Sequence, residues 1–345
     1  MDRRQFLAGM SAGLPLSLTT SVAWGQQAAP VKRNGRIRQG VTQGVFGRNG
    51  NLSFEDTCRE AARLGIKGYD FVDDPADWPM LKKYGLVLSM YRLDYPRWKD
   101  GALGRGVMPA AQPGGRGPAA PAAAGQAPAP APAGGRGASG GRGGGAANPP
   151  GWSAINQKEA TGEYLTAMHA AIDIAAANSI PNIILLAGSR VPGLSEEQGA
   201  DNAVAFCNQV KAHAEDKAIT LCLEIISSRG GPGSYMFDHF RWGADVLKRA
   251  NSPRVKMLMD MYHTQVMDGN IVQTIRDNFS LIGHFHTGGV PGRHELDETQ
   301  ELSWRFIAQS ILDLGYTGFI THEWSPTPGN DPIASLDKVI GIMDV

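Results

Sequence analysis

Val255-Lys256-Met257-Leu258-Met259-Asp260 is a short, mostly apolar run that ends on a carboxylate. Its length and content fit a strand buried on both faces better than a helix. Three further runs have the same form: Leu221-Cys222-Leu223-Glu224, Gly283-His284-Phe285-His286 and Ile320-Thr321-His322-Glu323. Alternate residues of a strand share a face, so Glu224 stands above Cys222, Asp260 above Leu258, His286 above His284 and Glu323 above Thr321. Carboxylates and imidazoles are costly to bury unless they are paired or bind metal, and this mixture suits a hard or borderline divalent cation. The four strand ends therefore argue for a metal enzyme, with His284 in the layer beneath its centre.

Working outward, strands are predicted over residues 37–42, 68–72, 87–90, 182–186, 220–225, 255–260, 281–286 and 318–323. Helix-like windows lie between them at 53–64, 158–178, 195–216, 237–250, 271–279 and 303–314. The first opens with Ser53-Phe54-Glu55-Asp56 as a capping box, and exits into glycine recur at Leu64-Gly65-Ile66 and Leu314-Gly315-Tyr316. Eight strands separated by helices predict an α/β fold, a single (β/α)8 TIM barrel, whose catalytic groups occupy the C-terminal strand ends. An open doubly wound sheet with a dinucleotide site lacks support, because no Gly-x-Gly-x-x-Gly follows the first strand. Lys256 shares the parity of Asp260 but lies about 13 Å nearer the barrel bottom at ~3.3 Å per residue, too far for a Schiff-base role beside it.

Two stretches read as additions to the barrel domain of residues 31–345. Residues 1–30 resemble a twin-arginine export signal: Arg3-Arg4-Gln5-Phe6-Leu7, an apolar small-residue run from Ala8 to Val22, then Ala23-Trp24-Gly25 as a small-x-small cleavage site. That run falls short of the ~18 apolar residues of a spanning helix, so a periplasmic protein with no stable membrane span after signal removal is expected. Residues 101–150, after the third strand, are built of Gly-Gly-Arg, Ala-Pro and Gly-Gly-Gly units and read as a disordered insertion. Without these two stretches the chain approaches the typical barrel length of about 250 residues. Cys58, Cys207 and Cys222 are odd in number and fall on helix or strand positions, which implies no disulfide framework. The balance of 33 basic against 33 acidic side chains leaves no electrostatic footprint for nucleic acid or anionic lipid, and favours a small neutral or weakly charged substrate.

Three motifs carry a family resemblance. They are Asp260-Met261-Tyr262-His263-Thr264-Gln265-Val266-Met267-Asp268-Gly269, then Ile282-Gly283-His284-Phe285-His286 with Val290-Pro291-Gly292-Arg293-His294-Glu295, and Gly315-Tyr316 leading into His322-Glu323-Trp324. Together they resemble the hydroxypyruvate isomerase branch of the xylose-isomerase-like barrel superfamily, which also contains the ketose 3-epimerases. The likeness continues more weakly from Arg36 to Val345, the insertion excepted. It implies one divalent ion, Mn2+ or Mg2+, held by Glu224, Asp260, His286 and Glu323, and substrate oxygens contacted by His263 and Arg293. In the isomerase branch the seventh-strand ligand is usually glutamine, whereas His286 matches the epimerases. Members often pair, so a homodimer is left open.

A metal that chelates a carbonyl and its neighbouring hydroxyl stabilises an enediolate, which eases removal of the proton alpha to the carbonyl. Glu224 and Glu323 are assigned as the acid/base pair as well as ligands. Return of the proton to the neighbouring carbon gives an aldose-ketose isomerase, and return to the same carbon from the other face gives an epimerase. A lyase or C-glycoside-cleaving enzyme acting on 3-keto sugars would reuse the same machinery. An abasic-site endonuclease would want more histidine ligands and a basic groove. A non-catalytic sugar-binding barrel would not need carboxylates on both the fifth and eighth strands.

Overall fold

The structure, a computed structural model, describes residues 29–47, 52–93, 155–158, 161–229 and 235–345. The expected export signal, apart from its last two residues, and the expected insertion over 101–150 lie outside the described residues. In chain order the elements are β1 (Arg38–Val41), α1 (Phe54–Arg63), β2 (Gly68–Asp70), α2 (Trp78–Lys83), β3 (Val87–Met90), α3 (Thr161–Ala177), β4 (Asn182–Leu185), α4 (Glu196–Asp216) and β5 (Thr220–Glu224). They continue with α5 (Phe240–Ala250), β6 (Val255–Asp260), α6 (Met261–Met267), α7 (Ile271–Asn278), β7 (Ile282–Thr287), α8 (Trp304–Asp313), β8 (Phe319–His322) and α9 (Pro332–Met343). The strands form one eight-stranded sheet in the order β3-β2-β1-β8-β7-β6-β5-β4. Parallel pairing of β1 with β8 brings the first and last strands together and curls the sheet into the expected barrel.

The ring closes at a seam between β3 and β4. There Tyr91 N donates to Asn182 O at 2.9 Å and Ile184 N donates to Tyr91 O at 3.0 Å. The Asn182 amide adds a bond to Ser89 O at 2.8 Å. At the bottom, Asn34 N donates to an Asp344 carboxylate oxygen at 2.7 Å and Arg36 Nε to Val345 O at 2.7 Å, tying the start of β1 to the end of α9.

Helix starts follow local chemistry. The Ser53–Asp56 capping box is present as read from the sequence, and Ser195 with Gln198 forms a second on α4. Asp331 caps α9 just ahead of Pro332. Two sets of buried residues follow from strand alternation. Met257 and Met259 face the large core between sheet and helices, whereas Leu258 faces the barrel interior with Met90, Ile184 and Cys222. Lys256 is at the barrel bottom, its Nζ donating to Ser280 O at 2.7 Å, away from the strand ends. All three cysteines are buried and free. No helix among the described residues is long and apolar enough to cross a membrane.

Gly243 makes the helix-to-sheet packing testable. A Cβ there would lie 2.1 Å from Phe237 Cζ, and the Phe237 ring is fully enclosed. Alanine would gain at most about 1 kcal/mol of helix propensity, whereas overpacking costs about 1–3 kcal/mol. Gly243→Ala is therefore expected to lower unfolding stability, and a urea midpoint at or above wild type would contradict this packing.

Candidate metal centre

The strand ends converge. Glu224 closes β5, Asp260 closes β6, His286 lies near the end of β7 and Glu323 follows directly after β8. Each offers a ligand atom, and these atoms all lie within 4.8 Å of one another. Asp260 and His286 are fully buried, whereas the Glu323 side chain keeps 20% exposure and so faces the open mouth. A substrate can reach it there. The donor set, three carboxylates and an imidazole, fits a hard or borderline divalent ion.

Asp260 ends one element and begins the next. Its Oδ1 accepts from Tyr262 N at 2.9 Å and His263 N at 3.2 Å, capping α6, while Oδ2 accepts from Arg293 Nη2. His263 therefore sits in the first turn of a short helix. His263 Nδ1 meets Ser227 Oγ at 3.0 Å, and its Nε2 lies 2.6 Å from Arg293 Nη1. Because a guanidinium only donates, Nε2 accepts and Nδ1 carries the proton. Burial, with the Arg293 charge, pushes this imidazole down to about 4. It is neutral at physiological pH.

Arg293 is the cation of the cluster. Beyond Asp260 and His263 it donates to Glu323 Oε2 at 2.6 Å and, through Nε, to Glu323 O at 2.8 Å. It holds a left-handed backbone, φ 57°, after Gly292 at φ 91°. A bulky residue in that region is strained, and such strain clusters at functional sites. Glu295, two residues on, is buried and takes donors from Thr327, Asn330 and Ser335 rather than from Arg293.

The two glutamates are tuned apart. Burial raises Glu224, to about 7, and the like charges of Glu323 and Asp260 add to the effect. Burial opposes ionisation of Glu323 as well, but Arg293 and His286 outweigh it and hold that carboxyl down at about 2. His286 Nδ1 is 2.8 Å from Glu323 Oε2 and 3.5 Å from Glu224 Oε1, yet neither approach has hydrogen-bond geometry. Burial disfavours the imidazolium, but the Glu323 charge and the Asp70 contact prevail and raise His286 well above its ordinary value. A buried nitrogen facing carboxylate oxygens in this way calls for a cation between them, either a proton or a metal ion.

Sequence reasoning missed Asp70. It closes β2, fully buried, and its Oδ2 meets His284 Nε2 at 2.9 Å and His286 Nε2 at 3.1 Å. Its Oδ1 accepts from Ser89 Oγ. His284, expected beneath His286, is there and also lies 3.1 Å from Thr321 Oγ1. Phe71, at φ 63°, sets its ring edge-on to His286 with centroids 5.6 Å apart. Asp70 closes a strand of only three residues, Gly68–Asp70, too short to show the parity that marked the other four.

Known proteins share both the barrel and parts of its sequence. The sequence model of one family, described as "Xylose isomerase-like TIM barrel", matches residues 142–340. A protein named "Putative hydroxypyruvate isomerase" from Danio rerio is 33% identical over 169 residues, 48% of this chain and 61% of that one. A 2-oxo-tetronate isomerase from Pectobacterium atrosepticum is 29% identical over 160 residues, 45% of this chain and 59% of that one. The chain thus spans about six-tenths of the length of the curated relatives it matches. Among solved structures, a 3-keto-D-glucoside 4-epimerase from E. coli has a TM-score of 0.60 at 14% identity, covering 88% of this chain and 99% of that one. At such identity the likeness speaks for the fold.

Proposed function

The chain belongs to the xylose isomerase-like TIM barrel family, and on that footing we propose that it is a metal-dependent isomerase or epimerase of a small ketose or hydroxypyruvate-like keto acid. The observation that carries the reading is the convergence of two glutamates, Glu224 and Glu323, with Asp260 and His286 on one ligand cluster at the strand ends. Two carboxyl groups in one cluster can serve as the acid and the base of a proton transfer. The similarity to proteins named hydroxypyruvate isomerase, 2-oxo-tetronate isomerase and D-psicose 3-epimerase supports the same class.

Glu224, Asp260, His286 and Glu323 would hold the ion, Mn2+ or Mg2+. When bound, such an ion supplies Lewis-acid stabilisation of the negative charge of an enediolate. Glu323, ionised and reachable from the mouth, takes the proton alpha to the carbonyl. Glu224, facing the same cluster from the end of β5, is assigned the return of a proton. His263 and Arg293 orient substrate oxygens from the β6 and β7 ends. His286 favours the epimerase form of the reaction, since the resemblance puts glutamine there in the isomerase branch.

Solvent deuterium exchange tests this reading. With Mn2+ present, hydroxypyruvate, 2-oxo-tetronate or a ketose such as D-psicose should gain deuterium at the carbon beside the carbonyl. Absence of exchange across that panel would leave a sugar-binding barrel as the better account. A working place in the periplasm is part of the proposal and rests on Arg3-Arg4-Gln5-Phe6-Leu7. Cell fractionation of the full chain, with an Arg3→Lys, Arg4→Lys control retained in the cytoplasm, checks it.

Metal binding should also depend on pH. His286 and Glu224 both have raised proton affinity in the metal-free cluster, so an ion must displace their protons. Below these pKa values protons compete; above them they do not. Mn2+ affinity is therefore expected to rise over the pH units on either side of about 7, where Glu224 loses its proton, with proton release visible by calorimetry in buffers of different ionisation heat. A flat profile over that range would contradict the electrostatics described.

A further inference from the structure

We infer that Asp70 is the positioning residue that fixes the tautomer and ring orientation of His286, so that Nε2–H is committed to β2 and the Nδ1 lone pair is presented to the metal cluster. The inference rests on the metal-centre reading above and extends it to a residue on the far side of the barrel. Asp70 has no exposed surface, and the donors around it define its role: Ser89 Oγ on Oδ1, His284 Nε2 and His286 Nε2 on Oδ2. An ionised carboxylate only accepts, so both imidazoles place their proton on Nε2. That leaves Nδ1 of His286 as the nitrogen facing Glu224 and Glu323. The ring is gripped from two more directions. Phe71 meets it edge-on, and the His284 ring packs against it at 5.3 Å between centroids.

The alternative is that Asp70, His284 and His286 themselves bind a second ion, since their ligand atoms are close enough together. The contacts at 2.9 and 3.1 Å are hydrogen-bond lengths to one shared oxygen, and the Thr321 hydroxyl shares the His284 nitrogen at 3.1 Å. Protons account for all of these contacts.

The test compares Mn2+ affinity of the full chain with that of Asp70→Asn and Thr321→Val. Loss of an outer partner of a ligating histidine lowers metal affinity by about 10–100-fold, and that is expected for Asp70→Asn. Thr321→Val removes a hydroxyl from His284 in the same buried layer and leaves the Asp70–His286 hydrogen bond in place, and its affinity should stay within about threefold. Equal affinities of wild type and Asp70→Asn would overturn the inference and leave the metal centre standing. An equal loss in Thr321→Val would overturn it too, by showing only a generic packing effect. No Mn2+ binding by wild type would remove both the centre and the inference. Two ions per chain by elemental analysis would replace it with the second-site account. Should Asp70→Asn not fold, the ring 15N signals of His286 in the Mg2+-loaded wild-type protein decide the matter. A proton on Nε2 supports the assignment and a proton on Nδ1 refutes it.

Discussion

Glu323→Gln is expected to lower kcat by about 10²–10⁴-fold, the range for loss of a positioned acid/base group, while the barrel stays folded. The substitution keeps size and removes charge. Glutamine can still accept the 2.6 Å contact from Arg293 through its carbonyl oxygen, and the Arg293 Nε bond to the backbone of residue 323 is untouched. Arg293 also keeps Asp260 as its counter-ion, so no cation is stranded in the interior. What disappears is the depressed carboxylate at the mouth, the one group of the cluster that is both ionised and open to a substrate. A Glu323→Gln protein that keeps the wild-type circular dichroism and turns over its substrate within a few-fold of wild type would end the assignment of Glu323 as base.

The largest effect on stability is expected at Asp260. Alanine there removes the cap of α6, worth about 1 kcal/mol. It also removes a buried partner of Arg293, and breaking a buried pair costs about 3–5 kcal/mol because the remaining charge has lost its partner. Glu323 still faces Arg293, which places the expected total toward the lower end of that range. Asp260→Asn would keep the cap, because the amide oxygen can accept from Tyr262 N and His263 N, but not the charge. Urea unfolding should rank wild type above Asp260→Asn and that above Asp260→Ala, with neither variant retaining a bound divalent ion. An alanine variant as stable as wild type would show that the Arg293 pair contributes nothing.

The barrel was legible because its strands are short apolar runs and its polar residues stand at their ends. Val255–Asp260 and Val87–Met90 form as read, and the other strand bounds move by one or two residues, where the first ladder bond forms. The pattern was weaker for α6, which follows β6 without a break because Asp260 serves both elements. The α9 helix went unread although Asp331-Pro332 is an ordinary helix start. The four clustered residues could be found because the same parity recurs on four consecutive strands. Asp70 could not be picked out in that way. A lone aspartate at the end of a three-residue strand looks like any turn acid, and its partners are 214 and 216 residues further along the chain. Likewise nothing local to Arg293 says that its side chain crosses to Asp260 and Glu323 rather than to Glu295 two positions away.

The hydrogen bonds from Asn34 and Arg36 to Asp344 and Val345 join the first strand and the last helix at the end of the barrel away from the cluster. Orientation on a surface follows from this. A molecule anchored through that end of the barrel stands with the mouth pointing into solution, so sensor-chip measurements of ligand binding made that way should sample an unobstructed site, whereas coupling in random orientations would bury a fraction of the mouths against the support.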